Sequence, residues 1–262
     1  MIKVGCIQFT NALPLFLALQ EKIIPHNAQI ILAPASTINE KLQQKELDIA
    51  LISSTAFLDQ RFEYILLSDL GIAGTEKAIS VRLFFNDETL QLDQRTVYVP
   101  ATSSTSNRLF QVLCSSFWNA TPILKPYSQP PEELFHQKDP FVLFGDDALN
   151  HYSLHTSFPS IDLCEAWNKA TSKSFIFGVI ATRNDSFQRK SQEIIAFHKA
   201  LEESFAWAEQ HPQEIIKKAR QCVSCPEPLL QSYFQTLEYR LSPRHFQGLH
   251  YFSTLETKSC CS

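Results

Sequence analysis

The sequence predicts an α/β protein of two lobes, each with its own sheet, joined by a double crossover and followed by a helical C-terminal region. Three observations carry this. Short strand-type apolar runs alternate with helical segments; two such units follow one another; and two longer β-rich stretches, Ala78 to Phe85 and Ser174 to Thr182, frame the second unit. A chain of 262 residues is long enough to build two cores. The expected division puts residues 1–85 and 184–262 in lobe 1 and 86–183 in lobe 2, with a ligand cleft between them whose closure excludes water.

The first unit reads as strands Ile2 to Phe9, Gln29 to Leu32 and Asp48 to Ile52, separated by helices near Leu13 to Gln20 and Thr37 to Lys45. The second reads as strand Thr96 to Val99, helix Thr105 to Trp118, strand Pro122 to Lys125, a helix near Pro131 to His136, and strand Phe141 to Phe144. Crossover strands rather than a linker are expected to join them, because no low-complexity stretch lies between. The sheets should be largely parallel and the remainder helical. From Ser186 to Gln210, Phe187, Ile194, Phe197, Leu201, Phe205 and Ala208 fall on one helical face. Pro212, Pro226 and Ser242-Pro243 each mark a new helix start.

Composition narrows the function. With 44% hydrophobic and 19% charged residues and a net charge of −4, the chain reads as a soluble globular protein without the basic patch that nucleic acid requires. No apolar run reaches the ~20 residues of a membrane span. The strand that starts at Ile2 leaves no room for an export signal, so a cytoplasmic protein is expected. The seven cysteines are then expected to be reduced thiols. Cys6, Cys114 and Cys164 read as small hydrophobes. Cys222 and Cys225 form a CxxC without a βαβ context, and Cys260 and Cys261 sit at the tail.

Three strand ends deliver small polar residues to a helix start: Thr10 and Asn11; Ser53, Ser54 and Thr55; and Thr102 through Ser106. In open α/β sheets ligands bind where strands end, and helix N-termini seat carboxylates and phosphates. The same residue types are also ordinary N-caps. Ser80, in the first crossover stretch, is a fourth candidate, with a plain strand-surface hydroxyl as its alternative. Asp146 and Asp147 suit the capping of a helix better than an anion site. Arg82 and Arg183 flank the crossovers as anion partners or structural pairs; Trp167 reads as cleft lining or core. Phosphate-loop, GxGxxG, HExxH and GxSxG patterns are missing. The eight histidines make no metal-ligand spacing, and six glycines are too few for a nucleotide cradle.

These residues resemble, from end to end, the MqnA family of chorismate dehydratases in the futalosine route to menaquinone. Phe9-Thr-Asn-Ala-Leu-Pro-Leu15 is similar to the family's Tyr-Leu-Asn-x-x-Pro-Leu opening, and Asp48-Ile-Ala-Leu-Ile-Ser-Ser54 to its Asp-Val-Gly-Leu-Val-Pro-Ser. Gly74-Thr-Glu-Lys-Ala-Ile-Ser-Val-Arg-Leu-Phe84 resembles its Gly-x-Val-x-Ser-Val crossover, and Thr102-Ser-Ser-Thr-Ser106 its Ser-Ser-Arg-Thr-Ser helix start. Gly145-Asp-Asp-Ala-Leu149, Asp162-Leu-Cys-Glu-Ala-Trp167 and Tyr233 to Leu241 match three further stretches in order. The departures are Phe9 for Tyr, Thr10 for Leu, Ser53 for Pro and Ser104 for Arg.

The resemblance implies the fold of type II periplasmic binding proteins and a cofactor-free, metal-free removal of water from chorismate. It implies Asn11 and Ser80 as catalytic residues, and Thr10, Ser54, Ser103, Thr105 and Ser106 as contacts to a dicarboxylate substrate. Asn11 and Ser80 are not bases at neutral pH, so a substrate carboxylate is expected to take the proton. Two other functions share the fold: 1,4-dihydroxy-6-naphthoate synthase, expected to use a histidine base, and a solute-binding protein without catalysis. Nucleic-acid and membrane partners are not expected, and the sequence leaves the oligomeric state open.

Overall fold

A computed structural model describes residues 1–86, 90–156 and 158–259. The first unit forms β1 (Ile2–Ile7), α1 (Leu13–Gln20), β2 (Ala28–Ala33), α2 (Ala35–Gln43) and β3 (Ile49–Ser53). Two successive βαβ crossovers place β1 between β2 and β3, all three parallel. After α3 (Ser54–Asp59) comes β4 (Tyr64–Gly74), an eleven-residue strand. The chain then enters the second sheet with β5 (Val81–Phe84).

The second unit contains β6 (Thr96–Pro100), α4 (Ser104–Ser116), β7 (Ile123–Tyr127), α5 (Pro131–Leu134), β8 (Phe141–Phe144), α6 (Gly145–Leu154), β9 (Ser160–Asp162) and α7 (Leu163–Thr171). Its strands lie in the order β7-β6-β8-β5-β9. The return strand β10 (Phe175–Arg183) inserts between β3 and β4, antiparallel to both. Then follow α8 (Asn184–Gln210), α9 (Pro212–Ala219), α10 (Glu227–Thr236), β11 (Leu237–Arg240) and α11 (Pro243–Ser259). The first sheet reads β11-β4-β10-β3-β1-β2.

The sequence and the structure differ in instructive places. Pairing puts 81–84 in the second sheet and 175–183 in the first, so the chain changes sheet before Val81 and before Phe175. The expected lobe divisions at 85/86 and 183/184 fall at the far ends of these two strands rather than before them, because a β-rich stretch does not reveal which sheet it joins. Each sheet is mixed rather than largely parallel, since out-and-back strands must run against the βαβ strands they join. The C-terminal region is not all helical: β11 pairs with β4 through Leu237 and Gly74.

Packing follows the apolar pattern. β10 is buried at eight of its nine positions, as a central strand covered on both faces should be. Trp167 is fully buried, and its indole N–H donates to the Ser174 carbonyl at 3.2 Å. Cys6, Cys114 and Cys164 are buried free thiols, Cys225 is buried and Cys222 exposed; Cys260 and Cys261 lie outside the described residues. Among the described residues no helix is long and apolar enough to cross a membrane.

Candidate active site

The strand ends of the two sheets face one cleft. From the first sheet come Asn11, in the single 3-10 turn after β1, Ser53 at the end of β3, and Phe177 and Gly178 of β10; from the second come Val81, Phe144, and Thr102 to Ser106 at the start of α4. Ser80 stands where the chain passes between the sheets. The cavity these residues enclose is about 80 Å³, smaller than the site a drug-sized ligand fills.

A band of hydroxyls spans it. Thr55, on α3, meets the Thr105 hydroxyl of α4 at 2.9 Å and donates to the Ser104 hydroxyl at 3.3 Å. Ser53 caps α3 by accepting the Ala56 N–H at 3.2 Å, and is itself held by Asn39, which donates to its hydroxyl and accepts its N–H. Ser103 donates to Ser106 at 2.8 Å. The first turns of α3 and α4 thus meet through this hydroxyl band, and a helix start carries the positive end of its dipole.

Of the residues singled out in the sequence, Asn11, Ser80, Ser103, Thr105 and Ser106 line the cleft together. Thr10 and Ser54 do not. Ser54 is completely buried with an unpartnered hydroxyl, because Ser53 is the residue that turns toward the cleft as β3 becomes α3. Thr10 is also buried and donates both its N–H and its hydroxyl to Asp146. Asp146 is thus not the expected cap: no side chain caps α6, and the carboxylate instead ties the Asn11 turn to that helix. Arg82 is a buried structural cation, 3.6 Å from Asp162 and stacked on Tyr152. Arg183 pairs with Asp185.

Asn11, singled out in the sequence, and Tyr233, which was not singled out as a site residue, each carry an unpaired polar atom. The Asn11 Oδ1 is buried without a partner while the residue faces the cleft, an acceptor left open for a ligand. Tyr233 is fully buried, its hydroxyl has no partner in hydrogen-bond geometry, and burial raises its pKa while the nearby Ser80 and Thr10 hydroxyls partly offset the rise. Burial also holds the Asp146 carboxyl above the usual carboxylate range, against the pull of Thr10.

A profile described as menaquinone biosynthesis matches residues 2–257, nearly the whole chain. The chain belongs to that menaquinone biosynthesis family. One curated relative, the chorismate dehydratase of Campylobacter jejuni, is 27% identical over 177 residues, 66% of this chain and 64% of the relative, so the match spans under two thirds of that protein. The chorismate dehydratase of Thermus thermophilus is 25% identical over 274 aligned positions, 95% of this chain and 93% of the relative. The periplasmic aliphatic sulphonate binding protein of Escherichia coli shares the fold, with a TM-score of 0.68 at 12% identity, covering 99% of this chain and 92% of that one. The chain therefore has the periplasmic-binding-protein fold. For this menaquinone family member, the lining of the cleft carries one chemical message. No Lys, Arg, His, Asp or Glu side chain lines it among the described residues, and none of their clusters is placed to hold a metal ion.

Proposed function

We propose that this protein is a chorismate dehydratase that converts chorismate to 3-[(1-carboxyvinyl)oxy]benzoate and water. The observation that supports it most directly is a cleft lined without charged side chains, in which Asn11 and Ser80 stand with serine and threonine hydroxyls among apolar walls, in a chain of the menaquinone biosynthesis family. Chorismate brings the charge. One carboxylate is seated by Ser103, Thr105, Ser106 and the open N–H groups of α4, and the other is offered to the ring hydrogen next to the hydroxyl-bearing carbon.

That carboxylate takes the proton, the C–H electron pair moves into the ring, and the C–O bond to the neighbouring hydroxyl breaks. The departing oxygen collects the proton and leaves as water, and the ring becomes aromatic. No redox partner is required by this balance. An amide and a serine hydroxyl cannot act as bases at neutral pH, but they can orient the carboxylate and hydrogen-bond the departing oxygen. Thr10 acts behind Asn11 through Asp146, and Ser53 stands on the cleft where Ser54 was expected. We place the protein in the cytoplasm, where a soluble dicarboxylate is its partner.

Incubation with chorismate and identification of the product by mass spectrometry tests the reading. Ser80→Ala and Asn11→Ala should each lower kcat by about 100-fold or more, as loss of a group that stabilises developing charge does. Tight binding of chorismate without product would make the protein a solute-binding module instead. Unchanged chorismate without binding would remove this substrate.

A further inference from the structure

Ser80 is presented by an unusual piece of backbone. Its N–H donates to the Ala78 carbonyl at 2.7 Å, closing a three-residue turn around Ile79. The φ of Ile79 is +63°. A γ-turn with a positive central φ is the rare, strained form, and a β-branched residue is among the least suited to that region. Such strain persists only where the surroundings over-determine it.

The restraint comes from Asp162. One carboxylate oxygen accepts the Ile79 N–H at 2.6 Å and the Ala78 N–H at 3.2 Å. The other accepts the Cys164 and Glu165 N–H groups at 2.9 and 3.1 Å, and so caps α7. Asp162 is 3% exposed, a costly setting for a carboxylate. Capping a helix needs no such charge, since Ser, Thr or Asn does it as well. Arg82 at 3.6 Å offsets part of the cost of that charge, and beyond the cap and the ion pair the carboxylate holds two adjacent N–H groups of the Ile79 turn. On the other side the Ser80 carbonyl accepts the Gly145 N–H at 2.7 Å, so Ser80 is clamped between α6 and the Asp162 turn.

We propose that Asp162 is a positioning residue for Ser80: its buried carboxylate pins the strained turn at Ile79 and thereby aims the Ser80 hydroxyl into the cleft. This rests on the reading of Ser80 given above for its catalytic consequence, but not for its structural one. Two arms separate them.

In the kinetic arm, Asp162→Asn should lower kcat by about 10-fold or more, with KM for chorismate changed less than about 3-fold, because the carboxylate seats on α4 are untouched. Adding Ile79→Gly should recover most of that loss, since glycine takes a positive φ unaided. A residue that merely capped α7 would not be rescued by a change at Ile79. Full activity of Asp162→Asn, or no recovery in the double variant, overturns the proposal.

In the structural arm, a crystal structure of Asp162→Asn should show Ile79 relaxed to negative φ and Ser80 displaced. An unchanged turn overturns the proposal even if the wild-type protein leaves chorismate intact, in which case the functional reading alone fails. If Asp162→Asn does not fold, Asp162→Ser, which still caps α7 but cannot reach Ile79, takes its place in both arms.

Discussion

Thr10 donates its hydroxyl to the Asp146 carboxylate at 2.6 Å and its backbone N–H to the same carboxylate at 3.1 Å. One residue beyond is Asn11, so the position of the cleft amide is set by a bond to the first turn of α6, a helix of the second sheet's layer. Thr10→Val keeps the shape and the N–H bond but removes the hydroxyl. We expect about 1 kcal/mol lower stability, the net worth of one such bond or somewhat more, and a fall in kcat of about 10-fold, with urea unfolding and chorismate turnover as the two measurements.

Asp146 also gives a pH signature. Burial raises its native pKa above the ordinary aspartate value, so the native state holds the proton longer than the unfolded chain does. Its contribution to stability is complete below pH 3.8 and is lost as pH rises through the native pKa. Asp146→Asn does not titrate. Urea midpoints compared at pH 3.5 and pH 7 should therefore move in the variant's favour at the higher pH; movement the other way would mean that Thr10 outweighs burial.

Tyr233 carries a buried hydroxyl without a partner beside Ser80 and Thr10. An unsatisfied buried hydroxyl costs about 1–3 kcal/mol. Tyr233→Phe should leave the melting temperature unchanged or raise it, and lower kcat by about 5-fold or more because the Ser80 hydroxyl loses its polar neighbour. Stability and activity moving in opposite directions is the expected mark of a group kept for function. A variant that loses both would show Tyr233 to be a packing residue.

The strand ends that face the cleft were readable because β1, β3 and β6 end in small polar residues before a helix, a pattern with a physical cause. What the sequence concealed is of a different kind. Between Ser53 and Ser54 the choice depends on one residue of register as β3 turns into α3. Asp146 looked like a cap because carboxylates favour helix starts, and only the tertiary approach of Thr10 gave it another partner. β4 and β11 escaped notice since neither alternates cleanly, and the positive φ of Ile79 has no sequence signal at all: a β-branched residue argues against it.

Far from the cleft, Asp48 is one of the carboxylates whose titration contributes to the acid limb of stability. It is 7% exposed. Burial pushes its pKa up, but the Lys3 N–H, the Lys190 ammonium at 2.9 Å and the Ser186 hydroxyl more than offset this, and the native value lies below the ordinary aspartate value. The stability it contributes is present above pH 3.8 and lost as pH falls through the native pKa. Lys190→Met should cost about 1–2 kcal/mol at pH 7, discounted for the half-exposed lysine, and much less at pH 2.5. An equal loss at both values would assign the effect to the irregular backbone of Lys190 within α8.

Gly248 tests how α11 is seated. A Cβ built there would lie 2.1 Å from the Ser174 carbonyl oxygen, backbone that cannot give way as a side chain can. The same carbonyl accepts the Trp167 indole N–H, so Gly248→Ala must displace either α11 or the segment that leads into β10. Overpacking of this kind costs about 1–3 kcal/mol, and here the indole bond is weakened as well. We expect a loss near the upper end of that range in urea unfolding, with an altered Trp167 emission. KM for chorismate should be unchanged, because neither Gly248 nor Trp167 lines the cleft. A variant as stable as the wild type would mean that α11 can slide on β10, and that the close approach at Gly248 is not what holds it.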